Sequence, residues 1–212
     1  MTEKMEGALA AGLRTIDPGL LGDATAAAPA LLGCRLLRLV RGRPRAGIIV
    51  ETEAYPHNDP ACHGFRGRTK RNATMFGAPG RAYVYRIHRS LCLNVVTGPE
   101  GRGEAVLIRA VEPEQGGAAM ERARRRHSVA AHPPRGYQLT NGPGKLCQAF
   151  EITIDFDGHE LLRPPASGNG PALLLLERRR PVTVATTARI GITEPRPKPL
   201  RFFIAGNPWV SP

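Results

Sequence analysis

The chain has 212 residues, so we expect one domain over residues 21–212 and a loosely ordered arm over residues 1–20. Its hydrophobic fraction of 42% argues against wholesale disorder, and its net charge of +12 favours a polyanionic partner such as nucleic acid. No apolar run approaches the roughly 20 residues of a membrane span and the N-terminus lacks the order of a secretory signal, so we expect a cytoplasmic protein, nucleoid-associated if bacterial.

The first predicted elements are a short helix and two strands. Asp23 can cap the helix and Gly33 can end it. Residues 35–40 and 46–55 have the composition of strands, and "RGRPRA" is expected to join them.

A long loop follows over residues 56–80, rich in Gly, Asn, Pro and basic residues. Structureless loops of this length in compact domains are usually functional. Two strand-like runs, near residues 82–87 and 91–97, come next and predict a β-hairpin with His88, Arg89 and Ser90 at its tip.

The remaining chain predicts another strand over residues 103–113 and a helix within residues 112–127. "GPGKLCQAFEI" predicts a helix with Pro at its first turn, and residues 172–180 and 201–206 predict late strands. Because strands dominate without βαβ alternation, we predict an α+β fold. Its expected form is a single compact domain with a mostly antiparallel curved sheet, a few helices and a protruding hairpin.

Cysteine spacing gives little sign of a zinc site or of a disulfide framework. No CxxC pair occurs, and disulfide frameworks belong mainly to short secreted chains. We therefore expect small buried hydrophobes at Cys34, Cys62, Cys92 and Cys147.

Two glutamates interrupt the apolar strand "GIIVETEAY". Strand alternation places Ile49, Glu51, Glu53 and Tyr55 on one face, with the glutamate Cα atoms about 6.5–7 Å apart. The functional interpretation is a general base or a metal ligand at the mouth of a cleft. The alternative is that both glutamates pair with arginines of neighbouring strands.

Several motifs together resemble the alkyladenine (3-methyladenine) DNA glycosylase family, in order from about residue 20 to the C-terminus. They are "ETEAYPHNDPACHGFRGRTKRNATMF", "GRAYVYRIHRSLCLNVV", "AVLIRAVEP", "NGPGKLCQAF", "ARIGI" and "KPLRFFIAGNPWVS". The resemblance implies a monomeric, monofunctional N-glycosylase without metal or other cofactor. Its substrates would be alkylated or deaminated purines in double-stranded DNA, such as 3-methyladenine, 7-methylguanine and hypoxanthine, and its action would start base excision repair.

The resemblance also implies catalytic roles. Glu53 matches the base that deprotonates a water for attack on C1′ of the damaged nucleotide. Arg109 matches an arginine that holds this water, and the main-chain carbonyl of Ile190 matches a further water contact. None of the residues that match the pocket is a lysine, so a Schiff-base lyase step is not expected.

The same resemblance implies a pocket for an extruded base. Tyr55 and His63 would stack on one side of the base and Tyr85 on the other, while Asn94 would disfavour the amino group of guanine. Tyr83 shares a strand face with Tyr85, and we expect one of the two to be simple core.

DNA contacts are implied at the hairpin and in the basic loop. His88 stands where better-known family members have a tyrosine that wedges into the space left by the base, and Arg86, Arg89 or Leu91 could share this role. The candidates for phosphate contacts are Arg66, Arg68, Lys70, Arg71, Arg89 and Lys145. The run "RARRR" over residues 122–126 could also contact phosphate, with a solvated basic face as the alternative.

Three other functions remain open from the residues alone. A metal-dependent nuclease or phosphoesterase could use Glu51, Glu53, Asp59 and His63 with Mg²⁺. A non-catalytic nucleic-acid-binding module would leave the glutamates structural, and an O-glycosidase would use Glu51 and Glu53 as an acid/base pair. Glu51 itself stays unassigned, with arginine pairing or support of the site as its expected roles.

Overall fold

The computed structural model describes residues 14–127, 134, 136–164, 172–192 and 198–212. Most of the predicted N-terminal arm therefore lies outside the described residues. The same holds for all but the last residue of "PASGNGPA", residues 165–172, which the sequence predicts as a turn or flexible loop. Within the arm, Ile16 is buried and its N–H donates to the Leu175 carbonyl. Packing against the sheet thus starts before residue 20.

Eight strands form one sheet in which every pairing is antiparallel. They are β1 (Arg35–Val40), β2 (Arg43–Tyr55), β3 (Ala82–Ile87), β4 (Ser90–Val96), β5 (Ala105–Gln115), β6 (Ala172–Leu176), β7 (Val184–Thr187) and β8 (Arg201–Ile204). The main order is β3-β4-β5-β2-β1-β6, and the β7–β8 pair joins β2 through β8. The sheet is curled, and the predicted α+β class is confirmed.

In the described part of the chain, three α-helices pack against this sheet: α1 (Ala24–Ala30), α2 (Gly117–Arg125) and α3 (Pro143–Phe150). As predicted, Asp23 caps α1, because its side chain accepts from the N–H groups of Thr25 and Ala26. Pro143 begins α3, where its missing N–H costs no helical hydrogen bond. No helix in the described part of the chain is long and apolar enough to cross a membrane.

The structure differs from the sequence prediction in the start of β2 and in one additional strand. β1 and β2 are joined by a tight turn at Arg41 and Gly42, both with positive φ, so β2 starts earlier than predicted. β7 was not predicted, and its alternation of intermediate and exposed residues explains the weak signal. The hairpin of β3 and β4 is confirmed, with His88 and Arg89 as its two-residue loop.

The core has a large cluster and a smaller one beside the long loop. The large cluster joins α1 and α3 to the sheet through residues such as Leu31, Ile108 and Phe150. The smaller cluster contains Tyr83 and packs against Tyr55 and Tyr85, so the aromatic residues gather at one place. All four cysteines are free and buried, as predicted.

Candidate functional site

The strand register places the pocket residues and the glutamate in one row. Tyr83 pairs with Asn94, Asn94 with Leu107, and Leu107 with Glu53, across β3, β4, β5 and β2. Cross-strand partners point to the same side of a sheet, so these side chains share one face. The sheet itself thus brings together residues that lie far apart in the sequence.

Two register irregularities lie beside the glutamates. The pairing of β2 with β5 shifts between Ile49 and Glu51, and again opposite Arg109, which is skipped in the register. The prediction that Ile49 shares the glutamate face is wrong, because Ile49 packs in the same buried cluster as Ala54. A bulge inserts one residue and reverses the alternation, and such irregularities can re-aim side chains beside active sites.

Glu53 is completely buried and accepts three hydrogen bonds. Its Oε2 accepts from the Tyr55 hydroxyl at 2.9 Å and from Arg109 Nη1 at 3.2 Å, and its Oε1 accepts from the Ile190 N–H at 2.7 Å. Ile190 thus contacts Glu53 through its N–H, whereas the expected contact of its carbonyl with water stays a prediction. A carboxylate has about four acceptor positions, so one position on Oε1 remains for a further donor.

Glu51 is also completely buried, and its bonds extend into the C-terminal segment. Its Oε1 accepts from Arg109 Nε at 3.0 Å, from Arg201 Nε at 2.6 Å and from the Ser211 hydroxyl at 2.7 Å. Its Oε2 accepts from the Ser211 N–H at 2.7 Å. Arg109 therefore bridges both glutamates, and the expected pairing with arginines holds for each of them.

Ser211 and Arg201 were missed by the sequence interpretation. Both lie about 150 residues from Glu51, and a serine near a chain terminus carries no signal of its own. The only available indication was that "RFFIAGNPWVS" belongs to the motifs that carried the resemblance.

The aromatic residues form a small cavity beside Glu53. The rings of His63 and Tyr85 meet edge to face at 4.4 Å, and His63 Nδ1 lies 3.0 Å from the Tyr83 hydroxyl. The cavity that they share with Tyr55 and Asn94 measures about 20 Å³. This volume holds about one water, so a purine requires the rings to move.

A larger groove of about 660 Å³ adjoins this cavity. It shares His63, Tyr83 and Tyr85 with the cavity, and Arg71 and Arg86 line it further out. Its volume lies within the range of ordinary ligand pockets, so it offers an approach to the aromatic residues.

Burial perturbs the titratable groups of this region. Burial, followed by the nearby Glu53 carboxylate, raises the pKa of Tyr55, so its hydroxyl remains a donor to Glu53. Burial also raises the pKa of Tyr83 to about 12. Burial and the charge of Arg71 lower the pKa of His63, which favours its neutral ring.

Tyr83 and Asn94 each combine a structural contact with a place in the lining of the cavity. Tyr83 is buried as core, yet it also lines the cavity, and its ring stacks on Tyr85 with centroids 5.5 Å apart. Asn94 donates from Nδ2 to the Tyr83 carbonyl at 3.0 Å, which fixes its amide while it lines the same cavity.

Arg189 covers part of Tyr55 and was not predicted. Its guanidinium lies 4.8 Å from the Tyr55 ring centroid, within cation–π range. It also pairs with the buried Asp59 at 2.9 Å and donates to the Ala54 carbonyl. Burial alone would raise the pKa of Asp59, but the Ala61 N–H and the charges of Arg189 and Lys198 lower it.

The hairpin tip and the basic loop are exposed. His88 has φ of 50°, and its neighbour Ile87 is 45% exposed. Lys145 is half-buried in the first turn of α3 and donates to Asn141 Oδ1 at 2.8 Å. The other phosphate candidates are exposed: Arg66, Arg68, Lys70, Arg71 and Arg89.

The carboxylates considered for metal binding are paired with cations. Glu51 and Glu53 pair with Arg109, and Asp59 pairs with Arg189. Among the residues that the structure describes, no group of three or more His, Cys, Asp and Glu could hold a metal ion. The arrangement thus gives no support to the nuclease alternative.

Comparisons with known proteins show the family to which the chain is related. The family model of methylpurine-DNA glycosylase (MPG) matches residues 20–208. Relatives named "Putative 3-methyladenine DNA glycosylase" include one of Carboxydothermus hydrogenoformans, 42% identical over 89% of this chain and 94% of its own length. Those of Methanoculleus marisnigri and Rhizobium etli are 44% and 45% identical, each over 89% of this chain and over 94% and 84% of their own lengths.

Proposed function

Because the chain belongs to the methylpurine-DNA glycosylase family, we propose that it flips alkylated or deaminated purines out of duplex DNA and hydrolyses their N-glycosidic bond. Its substrates would include 3-methyladenine, 7-methylguanine and hypoxanthine. A damaged or mismatched base costs less to unstack than a normal pair, which gives a first selection. Release of the base leaves an abasic site, the start of base excision repair.

The observation that carries this proposal is the environment of Glu53. A buried carboxylate beside an aromatic cavity, with one acceptor position left on Oε1, can bind and deprotonate a water. The water oxygen bonds to C1′ as the bond from C1′ to the base nitrogen breaks, and Glu53 takes the proton. Arg109 would hold the carboxylate and the water in place.

The aromatic residues would bind the extruded base after they separate. A base between His63 and Tyr85 needs about 7 Å between their planes, twice the carbon contact distance of about 3.5 Å. In the structure the two rings meet edge to face, with centroids 4.4 Å apart and an interplanar angle of 70°, so they have to turn and separate. His63 lies on the long loop rather than in the sheet. Stacking would then recover about 1–3 kcal/mol per base, with a further cation–π gain for 3-methyladenine.

The hairpin would fill the space that the base leaves. His88 is flat and exposed at the tip, and the exposed Ile87 beside it adds an apolar side chain. Apolar side chains that insert between base steps are a common means of unstacking DNA. We therefore assign the wedge to His88 with Ile87 as its neighbour.

Substitution of Glu53 by glutamine tests the proposal. Glu53→Gln keeps the size of the side chain and removes the base, so we expect lesion binding to persist and single-turnover base release to fall at least a hundredfold. Glu114→Gln makes the same change at an exposed ion pair with Arg35 and should excise normally. Excision by Glu53→Gln at the wild-type rate would refute the role of Glu53.

Chelation of metal ions by EDTA distinguishes the proposed glycosylase from the metal-dependent nuclease. Base release from a hypoxanthine duplex should be unaffected by EDTA, and the product should be an alkali-labile abasic strand. Loss of activity in EDTA, or direct strand cleavage without free base, would indicate a nuclease.

A further inference from the structure

Two adjoining grooves on the surface have eight arginines in their linings. The first has a volume of about 410 Å³ and the second about 560 Å³, and Arg41 and Glu151 line both. We call their arginines the arginine track, and they are Arg38, Arg41, Arg43, Arg45, Arg86, Arg89, Arg122 and Arg126. Arg89, together with Arg122 and Arg126 of "RARRR", was among the phosphate candidates from the sequence.

Three parts of the fold build the arginine track. The tight β1–β2 turn holds Arg41 at φ of 51°, a conformation that non-glycine residues rarely adopt. Arg122 and Arg126 lie four residues apart at the C-terminal end of α2 and therefore point the same way. The β3–β4 hairpin supplies the arginines at the other end, next to the proposed wedge.

The arginine track has far more positive than negative charge. Glu151 is the one acidic residue among the described residues that line it, and it pairs with Arg45 at 3.0 Å and Arg126 at 3.2 Å. Burial alone would raise the pKa of Glu151, but these arginines lower it. Burial and the charge of Arg45 lower the pKa of Arg38 to about 10. The free protein thus holds mutually repelling cations that a polyanion would stabilise.

The position of the track indicates which polyanion it binds. Arg86 lines both the second groove and the groove that reaches His63 and Tyr85, so positive charge continues from the aromatic cavity past the hairpin to α2. We propose that the arginine track binds the phosphate backbone of the duplex that flanks the lesion, beyond the nucleotides held at the pocket and wedge. The proposal rests on the proposed function, since it assumes DNA at the hairpin.

The test compares DNA binding with short and long flanks. The track variant Arg41→Gln/Arg122→Gln leaves Arg45 and Glu151 in place, so the protein should fold normally. Its control, Arg163→Gln/Arg178→Gln, removes the same charge at exposed arginines outside both grooves. Affinity is measured at several salt concentrations on duplexes with about 5 or about 15 base pairs on each side of hypoxanthine.

We expect the track variant to bind the long duplex about tenfold more weakly. The plot of the logarithm of the binding constant against the logarithm of the salt concentration should become less steep by about 1–2, because each phosphate contact contributes about 0.9 to the magnitude of this slope. Binding of the short duplex should match the control. Equal binding by the two variants on the long duplex, or an equal loss on both duplexes, would overturn the proposal. Weaker binding of poly-glutamate with unchanged DNA binding would also overturn it and would indicate an acidic protein partner.

Failure of the proposed function would look different. Long-flank binding is also measured on undamaged DNA, so it does not depend on excision. Excision by Glu53→Gln at the wild-type rate would therefore refute the catalytic assignment and leave the track result standing.

Discussion

Removal of the Ser211 hydroxyl tests whether the C-terminal segment positions the catalytic residues. In the structure this hydroxyl donates to Glu51 Oε1 at 2.7 Å and lies 3.4 Å from Arg109 Nη2. Ser211→Ala deletes both contacts but keeps the main-chain N–H that donates to Glu51 Oε2. Glu51 would also keep its two arginine partners, so the fold should survive.

The expected magnitude follows from the kind of bond that is lost. A buried hydrogen bond to a charged group contributes about 1.5–3 kcal/mol. For a domain of this size each kcal/mol lowers the melting temperature by about 2–4 °C, so we expect a loss of about 3–12 °C. If the misplacement of Arg109 raises the activation free energy by about 1 kcal/mol, the single-turnover rate of excision falls about fivefold. The affinity for the lesion should stay within twofold of wild type.

The assay is single-turnover release of hypoxanthine, with affinity measured separately by fluorescence anisotropy. Ser211→Thr restores the hydroxyl and should recover most of the rate. The control is Thr74→Val, which removes an equally short hydroxyl–carboxylate bond, to Asp157, at an exposed position and should leave excision unchanged. If Ser211→Ala is less stable yet excises at the wild-type rate, the segment is structural only and the reasoning fails.

Two further substitutions test the loop that carries His63. Arg71→Ala should raise the pKa of His63 while leaving it below its ordinary value, because burial, the larger cause, remains; an NMR titration showing no rise would contradict this. Gly64→Ala should destabilise the protein by about 1–3 kcal/mol, since its Cβ would lie 2.2 Å from the Gly103 carbonyl oxygen. The control Gly117→Ala meets no atom within 4 Å and should unfold at or above the wild-type temperature, and a similar result for Gly64→Ala would refute the clash.

Local sequence signals were sufficient where one interaction decides the structure. Asp23 and Pro143 marked helix starts because a cap and a missing N–H act within a few residues. The β3–β4 hairpin followed from two β-rich runs with a short connection. The face of Ile49 was wrong because a bulge depends on the partner strand, and nothing in β2 alone reveals it.

In the candidate site, too, contacts between neighbours in the sequence could be predicted, whereas contacts between distant segments could not. Glu53 and Tyr55 could be placed together because two residues on a strand share a face. The contacts of Glu51 with Arg201 and Ser211 could not be predicted, since they join segments about 150 residues apart. The small size of the cavity could not be predicted from the sequence either, because it depends on how the long loop places His63 against Tyr85.

The two buried glutamates differ in how completely their charge is matched. Glu51 takes the guanidinium Nε groups of both Arg109 and Arg201 at 3.0 and 2.6 Å, whereas Glu53 receives a single arginine contact at 3.2 Å. Glu51 therefore lies against two cations, whereas Glu53 shares one of them. In the proposed reaction the carboxylate of Glu53 would take the proton of the water and stabilise the cation that develops at C1′. A second arginine on Glu53 would weaken the stabilisation of that cation, so Glu51, which holds Arg109, has an expected role in support of the proposed catalytic base.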